Sequence, residues 1–220
     1  NLKQGLPLGL QFSVLAIGIV IMQGVVVNFD VDANGIMVAN TPAQNGYGAG
    51  SKLFNVLISF YNGLGSAILV FIAQNYGKGD YANIKRGCLQ ALVMVVVIHA
   101  LCFLIAGLCC INGAYQYLFM SADKVSAESI TYGNTFIFVD LANFSVVGFL
   151  IVVRSAVQGI CKSGYVLGAG IMELIARSLI CMFLPPLING GAITSSASLG
   201  AYIATCYGDP GAWLFASTLL

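Results

Sequence analysis

Long apolar runs separated by short polar breaks fill the chain, and the breaks place the helices. The first run covers about 5–28, after the polar Asn1, Lys3 and Gln4. It lacks the short apolar core and small-residue cleavage site of a signal peptide, so it is read as a true span. A polar stretch over 29–45 follows, with Asp30, Asp32, Asn34, Gly35, Asn40 and Pro42. The second run, about 46–76, is more mixed and breaks at Gly77-Lys78-Gly79-Asp80. The third covers about 87–111 and stops at Asn112-Gly113, and the fourth covers about 130–160. The fifth covers about 165–184, with Pro185-Pro186 as its expected stop. After a Gly/Ser/Ala-rich stretch the apolar pattern resumes, and a last helix is expected from about 210. Runs of about 20 apolar residues are long enough to cross a hydrocarbon core. The pattern predicts an all-α polytopic membrane helix bundle, a single membrane domain over 1–220 with about six transmembrane helices. From Pro210 to the last residue a helix reaches only about 16 Å, half the hydrocarbon thickness. The expectation is therefore a fragment or trimmed domain, cut inside its last helix.

Composition strengthens this picture. Only 8% of residues are charged and 59% are hydrophobic, with a mean hydropathy of +0.91 and a net charge of +1. Disorder is excluded, because it needs low hydrophobicity and high charge. Nine Lys and Arg are too few and too scattered for a nucleic-acid-binding face. Their positions still carry information. Lys3, Lys78, Lys85, Arg86 and Lys162 fall on the side of the amino end, against Lys52 and Lys124 on the other, which favours a cytoplasmic amino end. The seven cysteines lie mostly inside apolar runs, with no C-x-x-C and a single histidine, His99. They read as small residues packed between helices, with neither a metal site nor a complete disulfide framework expected. No cofactor is expected.

Charges inside the runs are the candidate chemistry, because the bilayer makes them costly and they face a cavity or a partner. Asp140 falls about 15 Å into the fourth run, with nothing nearby in sequence to neutralise it. It is the candidate cation- or proton-coupling carboxylate, equally readable as a protonated group bonded between helices. His99, at mid-depth in the preceding run, is a candidate to meet it. Glu173 and Arg177 are spaced to pair along one helix and read as a structural pair. Arg154 is placed to snorkel to the cytoplasmic interface. Asn55, Ser59 and Asn62 follow helical spacing and form a polar stripe, which with Gln11 can line a cavity or bond neighbouring helices. Gly46-x-x-x-Gly50 and Gly164-x-x-x-Gly168 permit close helix approach.

Several segments resemble the multidrug and toxic compound extrusion (MATE) family. Gly5-Leu6-Pro7-Leu8-Gly9-Leu10-Gln11 resembles the opening of its seventh helix. Ala73-Gln74-Asn75-Tyr76-Gly77-Lys78-Gly79, followed by Ile84-Lys85-Arg86-Gly87, resembles the end of its eighth helix and the next cytoplasmic loop. Arg154-Ser155-Ala156-Val157-Gln158-Gly159 with Ser163, then Gly170 to Arg177, is similar to its tenth-to-eleventh helix region. Asp209-Pro210-Gly211-Ala212-Trp213 resembles the start of the twelfth. The resemblance implies the carboxyl-terminal six-helix lobe of a twelve-helix transporter, whose amino-terminal lobe is the missing partner. It implies export of small organic, often cationic, compounds in exchange for Na⁺ or H⁺ by alternating access. Two departures stand out. The first run contains no Asp or Glu, where some members carry a carboxylate that helps bind the cation. The acidic position of the tenth helix falls near Asn143, one turn from Asp140, so Asn143 joins Asp140 as a coupling candidate.

Other functions remain to be weighed. A lipid-linked saccharide flippase of the same superfamily needs several basic cavity residues, and only Arg154 and Arg177 are available. A membrane-embedded enzyme needs a catalytic constellation, and one histidine with no H-E-x-x-H offers none. A structural membrane subunit would tolerate loss of Asp140 and of the polar stripe. The expected protein is a multi-pass antiporter lobe of the cell membrane, not an enzyme.

Overall fold

The computed structural model describes residues 2–220, with the side chains of residues 5–7 and 9–220. Asn1 and the side chains of Lys3, Gln4 and Leu8, used in the sequence argument, lie outside the described residues. The chain is a helical bundle, and among the described residues its only β pairing is one isolated bridge. Helix α1 is Leu2–Asn28, α2 is Pro42–Lys78 and α3 is Tyr81–Cys110. A short α4 (Gln116–Phe119) precedes α5 (Ala127–Ala142) and α6 (Phe144–Gly159). Then come α7 (Ser163–Asn189), α8 (Leu199–Cys206) and α9 (Gly208–Leu219). Four helices are long and apolar enough to cross a membrane, and the bent pair α5–α6 makes a fifth. The sixth expected transmembrane helix, from about 210, is not among the membrane-capable helices of the described residues: that part of the chain folds as two short helices, α8 and α9, the second starting before Pro210.

Two further expectations change. The fourth run is one apolar stretch in sequence but bends by 54° between α5 and α6. Asn143 sits at the break with φ −107° and ψ 9°, and its side-chain amide donates to the Val139 carbonyl at 2.9 Å. A polar side chain that bonds the preceding turn competes with the backbone ladder and bends it. The fifth run does not stop at Pro185-Pro186. Helix α7 continues to Asn189 and ends at Gly190, whose left-handed backbone (φ 72°) lets its N–H reach the Pro186 carbonyl. Prolines near a helix end remove few backbone bonds, and neighbouring helices make up for them.

Helices α2 and α7 are the two centres of the bundle. Helix α2 packs on α3, α5 and α6, while α7 packs on α1, α8 and α9. The α2–α5 seam depends on the first small-residue motif. A side chain at Gly46 would collide with the Ser129 carbonyl and the Gly133 backbone, and one at Gly50 would crowd Phe136. Beside the seam, Tyr47 meets Phe136 edge-on at 4.9 Å between ring centroids. Phe54 lies among Phe136, Phe144 and Trp213. Such aromatic pairs contribute about 0.5–1.5 kcal/mol each beyond area burial. The second motif has no comparable seam: Gly164 faces open space and Gly168 meets only Leu219.

The polar stretch before α2 is folded around two carboxylates. Asp30, fully buried, accepts from the backbone N–H of Ala43 at 2.9 Å and of Gln44 at 2.8 Å. It thus satisfies two of the free donors at the start of α2, where the helix dipole favours negative charge. Asp32 accepts from Ile36 and Asn34 N–H, each at 2.8 Å, and closes a turn. The Ile36 N–H bond is the main cause that holds its carboxyl below its ordinary range. At the opposite end of the bundle, Gly79 ends α2 with positive φ and Asp80 caps α3 by accepting from Asn83 N–H.

Candidate functional site

A cleft of about 770 Å³ opens between α1 and α2, with α6, α7 and α9 completing its wall. Its α2 side is a single helical face that includes Ser51, Asn55, Ile58, Asn62 and Leu69. Three predicted lining residues, Gln11, Asn55 and Asn62, face it, joined by Gln23, Ser66, Ser155 and Gln158. Ser59 does not face it. The lining of α2 runs through Ile58, one residue away, so Ser59 falls on the adjoining face and bonds the Val56 carbonyl. Gln11 is buried against Gly170, which leaves room for its side chain where α1 lies on α7.

Four charges line the cleft, and their pairing corrects the expectation. Glu173 and Arg177 do not pair with each other. Glu173 accepts from Arg154 of α6, so Arg154 is held at depth instead of reaching the interface. Arg177 donates from Nε to Asp209 of α9 at 2.8 Å. Helix α7 packs on both α6 and α9. Neighbours one turn apart on it can therefore each reach a partner on a different helix, where both charges are desolvated. The side chains of Glu173 and Arg177 are only 4% and 5% exposed. Water cannot solvate them there, so each needs an opposite charge.

Asp140 lies behind this line. It is fully buried, and neither carboxylate oxygen has a hydrogen-bond partner. Tyr47 lines the cleft together with Arg177 and Asp209, whereas Asp140 does not line it. His99 does not meet Asp140. It shares a hydrogen bond with Ser145 Oγ at 2.5 Å and packs near Phe103 and Phe144. Asn143 holds the helix break one turn beyond Asp140, and its backbone N–H donates to the Asp140 carbonyl at 3.1 Å.

Sequence reasoning missed Asp209 as a site residue, reading it only as the start of the last helix. Its signal was present: an acidic residue in a first helical turn, beside an apolar run with an unmatched arginine elsewhere. Among the described residues no three His, Cys, Asp or Glu side chains converge as a metal cluster would. The arrangement can enclose an organic molecule among amides and aromatic rings, next to a buried and uncompensated carboxylate.

Comparison with known proteins gives one family. The model described as MatE matches residues 36–184, more than half of the chain. No curated protein and no solved structure matches it.

Proposed function

The chain belongs to the MATE family of membrane transporters, and from that premise we propose that it is a lobe of a cation-coupled antiporter. It is a multi-pass integral membrane protein. In the proposed cycle, small organic and often cationic compounds leave in exchange for Na⁺ or H⁺ as the cleft alternates its access. A second six-helix lobe faces the cleft, and the two rock against each other about a central site, as repeat-built transporters do. The protein resides in the cell membrane with its amino end cytoplasmic. The exposed Lys78, Lys85, Arg86 and Lys162 support that orientation.

One observation carries the coupling. Asp140 is buried without a partner, at a depth where an isolated carboxylate costs several kcal/mol. A site that accepts a proton or a sodium ion relieves that cost, and the cleft beside it accepts the organic compound. The lipid-linked saccharide alternative lacks its recognition chemistry, because both cleft arginines are already paired with carboxylates.

The test is export of the organic cation ethidium by the full-length protein in proteoliposomes, under imposed Na⁺ and pH gradients. Export that follows at least one gradient supports antiport. Export indifferent to both removes it.

A further inference from the structure

A second cavity, of about 620 Å³, lies at the end of the bundle away from Lys78, Lys85, Arg86 and Lys162. Its lining shares no residue with that of the cleft. Three pieces of chain meet there: the loop between α1 and α2, the first turns of α5, and the approach to α8. Bonds already made hold these walls. Asp30 fixes the start of α2 beside Pro42 of the lining, and its backbone carbonyl accepts from Val38 N–H at 2.8 Å. Ser195 N–H donates to the Val31 carbonyl at 2.7 Å, which ties the segment before α8 to the same loop.

The chemistry of this cavity is one carboxylate beside aromatic rings. Glu128 and Tyr132 are one turn apart on α5, and both line the cavity together with Phe29. Tyr132 and Phe29 meet edge-on at 6.4 Å between ring centroids. Tyr202, buried and outside the lining, packs on both, at 4.6 Å and 5.3 Å. Among the described residues Glu128 is the one charged group in the lining. It is in neither of their ion pairs, and Lys52, from the same end of the bundle, donates instead to the Phe119 carbonyl at 3.2 Å. Capping does not use this carboxylate either. Ser126 and Ser129 close the start of α5 by exchanging bonds at 2.9 Å and 3.0 Å. A free acid beside ring surface suits a cation with an apolar body, whose charge meets the carboxylate while its body meets the rings. The volume is that of a site for a drug-sized molecule.

We infer that this cavity is a second binding site, which takes an organic cation at the end of the bundle beyond the cleft. The inference rests on the export proposed above only for its direction of use. Along α5, Glu128, Tyr132 and Phe136 follow at one-turn intervals on one face. The first two line the second cavity and Phe136 lines the cleft, so one helix face joins the two sites. A cation that leaves the cleft along that face meets Tyr132 and then Glu128. Charge favours the same course. Asp30, Asp32, Asp123 and Glu128 stand at this end against Lys52 and Lys124, whereas the opposite end carries the basic residues that set orientation. By that orientation the second cavity is the outer one, and it serves as the last station before release.

The test is site-directed protection in purified full-length protein in detergent, with ethidium as the ligand. Thr131→Cys puts a thiol in the lining, and Ala33→Cys puts one in the neighbouring loop outside it. Each is labelled with a maleimide, and the rate at that cysteine is read by peptide mass spectrometry. Ethidium is expected to slow labelling of Thr131→Cys several-fold and to leave Ala33→Cys unchanged. Adding Glu128→Gln is expected to raise the half-protecting ethidium concentration about fivefold, as for loss of a partly exposed ion pair. It is also expected to remove most of the dependence of that concentration on salt. Glu128→Asp keeps the charge and is expected to keep the protection. If Thr131→Cys is unreactive, Ala39→Cys on the loop wall replaces it as the reporter. No protection in the lining overturns the site. Protection that Glu128→Gln leaves unchanged also overturns it, because shielding transmitted from the cleft would not depend on this carboxylate. Equal protection at Ala33→Cys does the same, since it marks a change of the whole end. Ethidium flux that ignores both gradients would remove antiport, yet protection at Thr131→Cys would still decide the site.

Discussion

Asp30 and Asp140 are both fully buried aspartates, yet their surroundings are opposite. Asp30 lies at the amino end of α2 and receives two backbone N–H bonds. Asp140 lies inside the bent α5–α6 span with neither oxygen bonded. The first is fully used by the fold, and removing it would leave helix donors bare. The second does nothing for local structure that an uncharged residue of the same shape could not do. Burial alone therefore does not distinguish the two carboxylates, and the missing partner is what sets Asp140 apart. Glu173 stands between these cases, buried but neutralised by Arg154.

Breaking the intermediate case has the largest expected effect on stability. Arg154→Ala leaves Glu173 buried and unpaired, and is expected to destabilise the protein by about 3 kcal/mol. Replacing both partners together, with Arg154→Met and Glu173→Leu, is expected to recover most of that loss. Chemical unfolding in detergent checks both. Equal losses in the single and double variants would mean that Glu173 does not depend on Arg154.

Asp30→Ala comes next. It exposes the Ala43 and Gln44 donors and is expected to cost about 2 kcal/mol. Faster hydrogen exchange at the start of α2 is the readout. Asp140→Asn, by contrast, is expected to leave stability unchanged or raise it, because it removes a buried unpaired charge. A large destabilisation there would erase the contrast between the two aspartates.

The smallest effect belongs to Asp32, the half-buried member of the same loop. Its carboxyl titrates below 3.8 because the folded turn donates to it, Ile36 N–H first. The folded pKa is the lower one, so the turn's contribution is present above the unfolded value and is lost as pH falls through the folded one. Exchange of the Ile36 amide should therefore rise only below about pH 4, and Asp32→Asn should remove that pH dependence with little global effect.

Much of this was legible in the chain. Apolar runs located the four long spans and the bent α5–α6 span, Gly77-Lys78-Gly79-Asp80 marked the α2–α3 turn, and Gly46-x-x-x-Gly50 allowed the close approach that α2 makes to α5. Asp140 was conspicuous because a charge within an apolar run is costly wherever it points. Pairing was not legible. Glu173 and Arg177 share a helical face, and spacing alone favoured a bond between them. Their actual partners come from α6 and α9, and the choice depends on how those helices register against α7, which no local pattern encodes. Asn143 shows the same limit on a smaller scale. An asparagine in an apolar run can cap, bend or simply pack, and tertiary context selected the bend. Ser59 differs by a single residue from the face that lines the cleft, a distinction finer than three positions of a stripe can make.

Gradient-driven export of ethidium by full-length Asp140→Asn in proteoliposomes, beside the wild type, tests the central claim most directly. The expected result is that wild-type export follows an imposed Na⁺ or pH gradient, whereas Asp140→Asn is stably folded but exports independently of both. An Asp140→Asn protein that follows the same gradient as the wild type would contradict the coupling role of the unpartnered carboxylate.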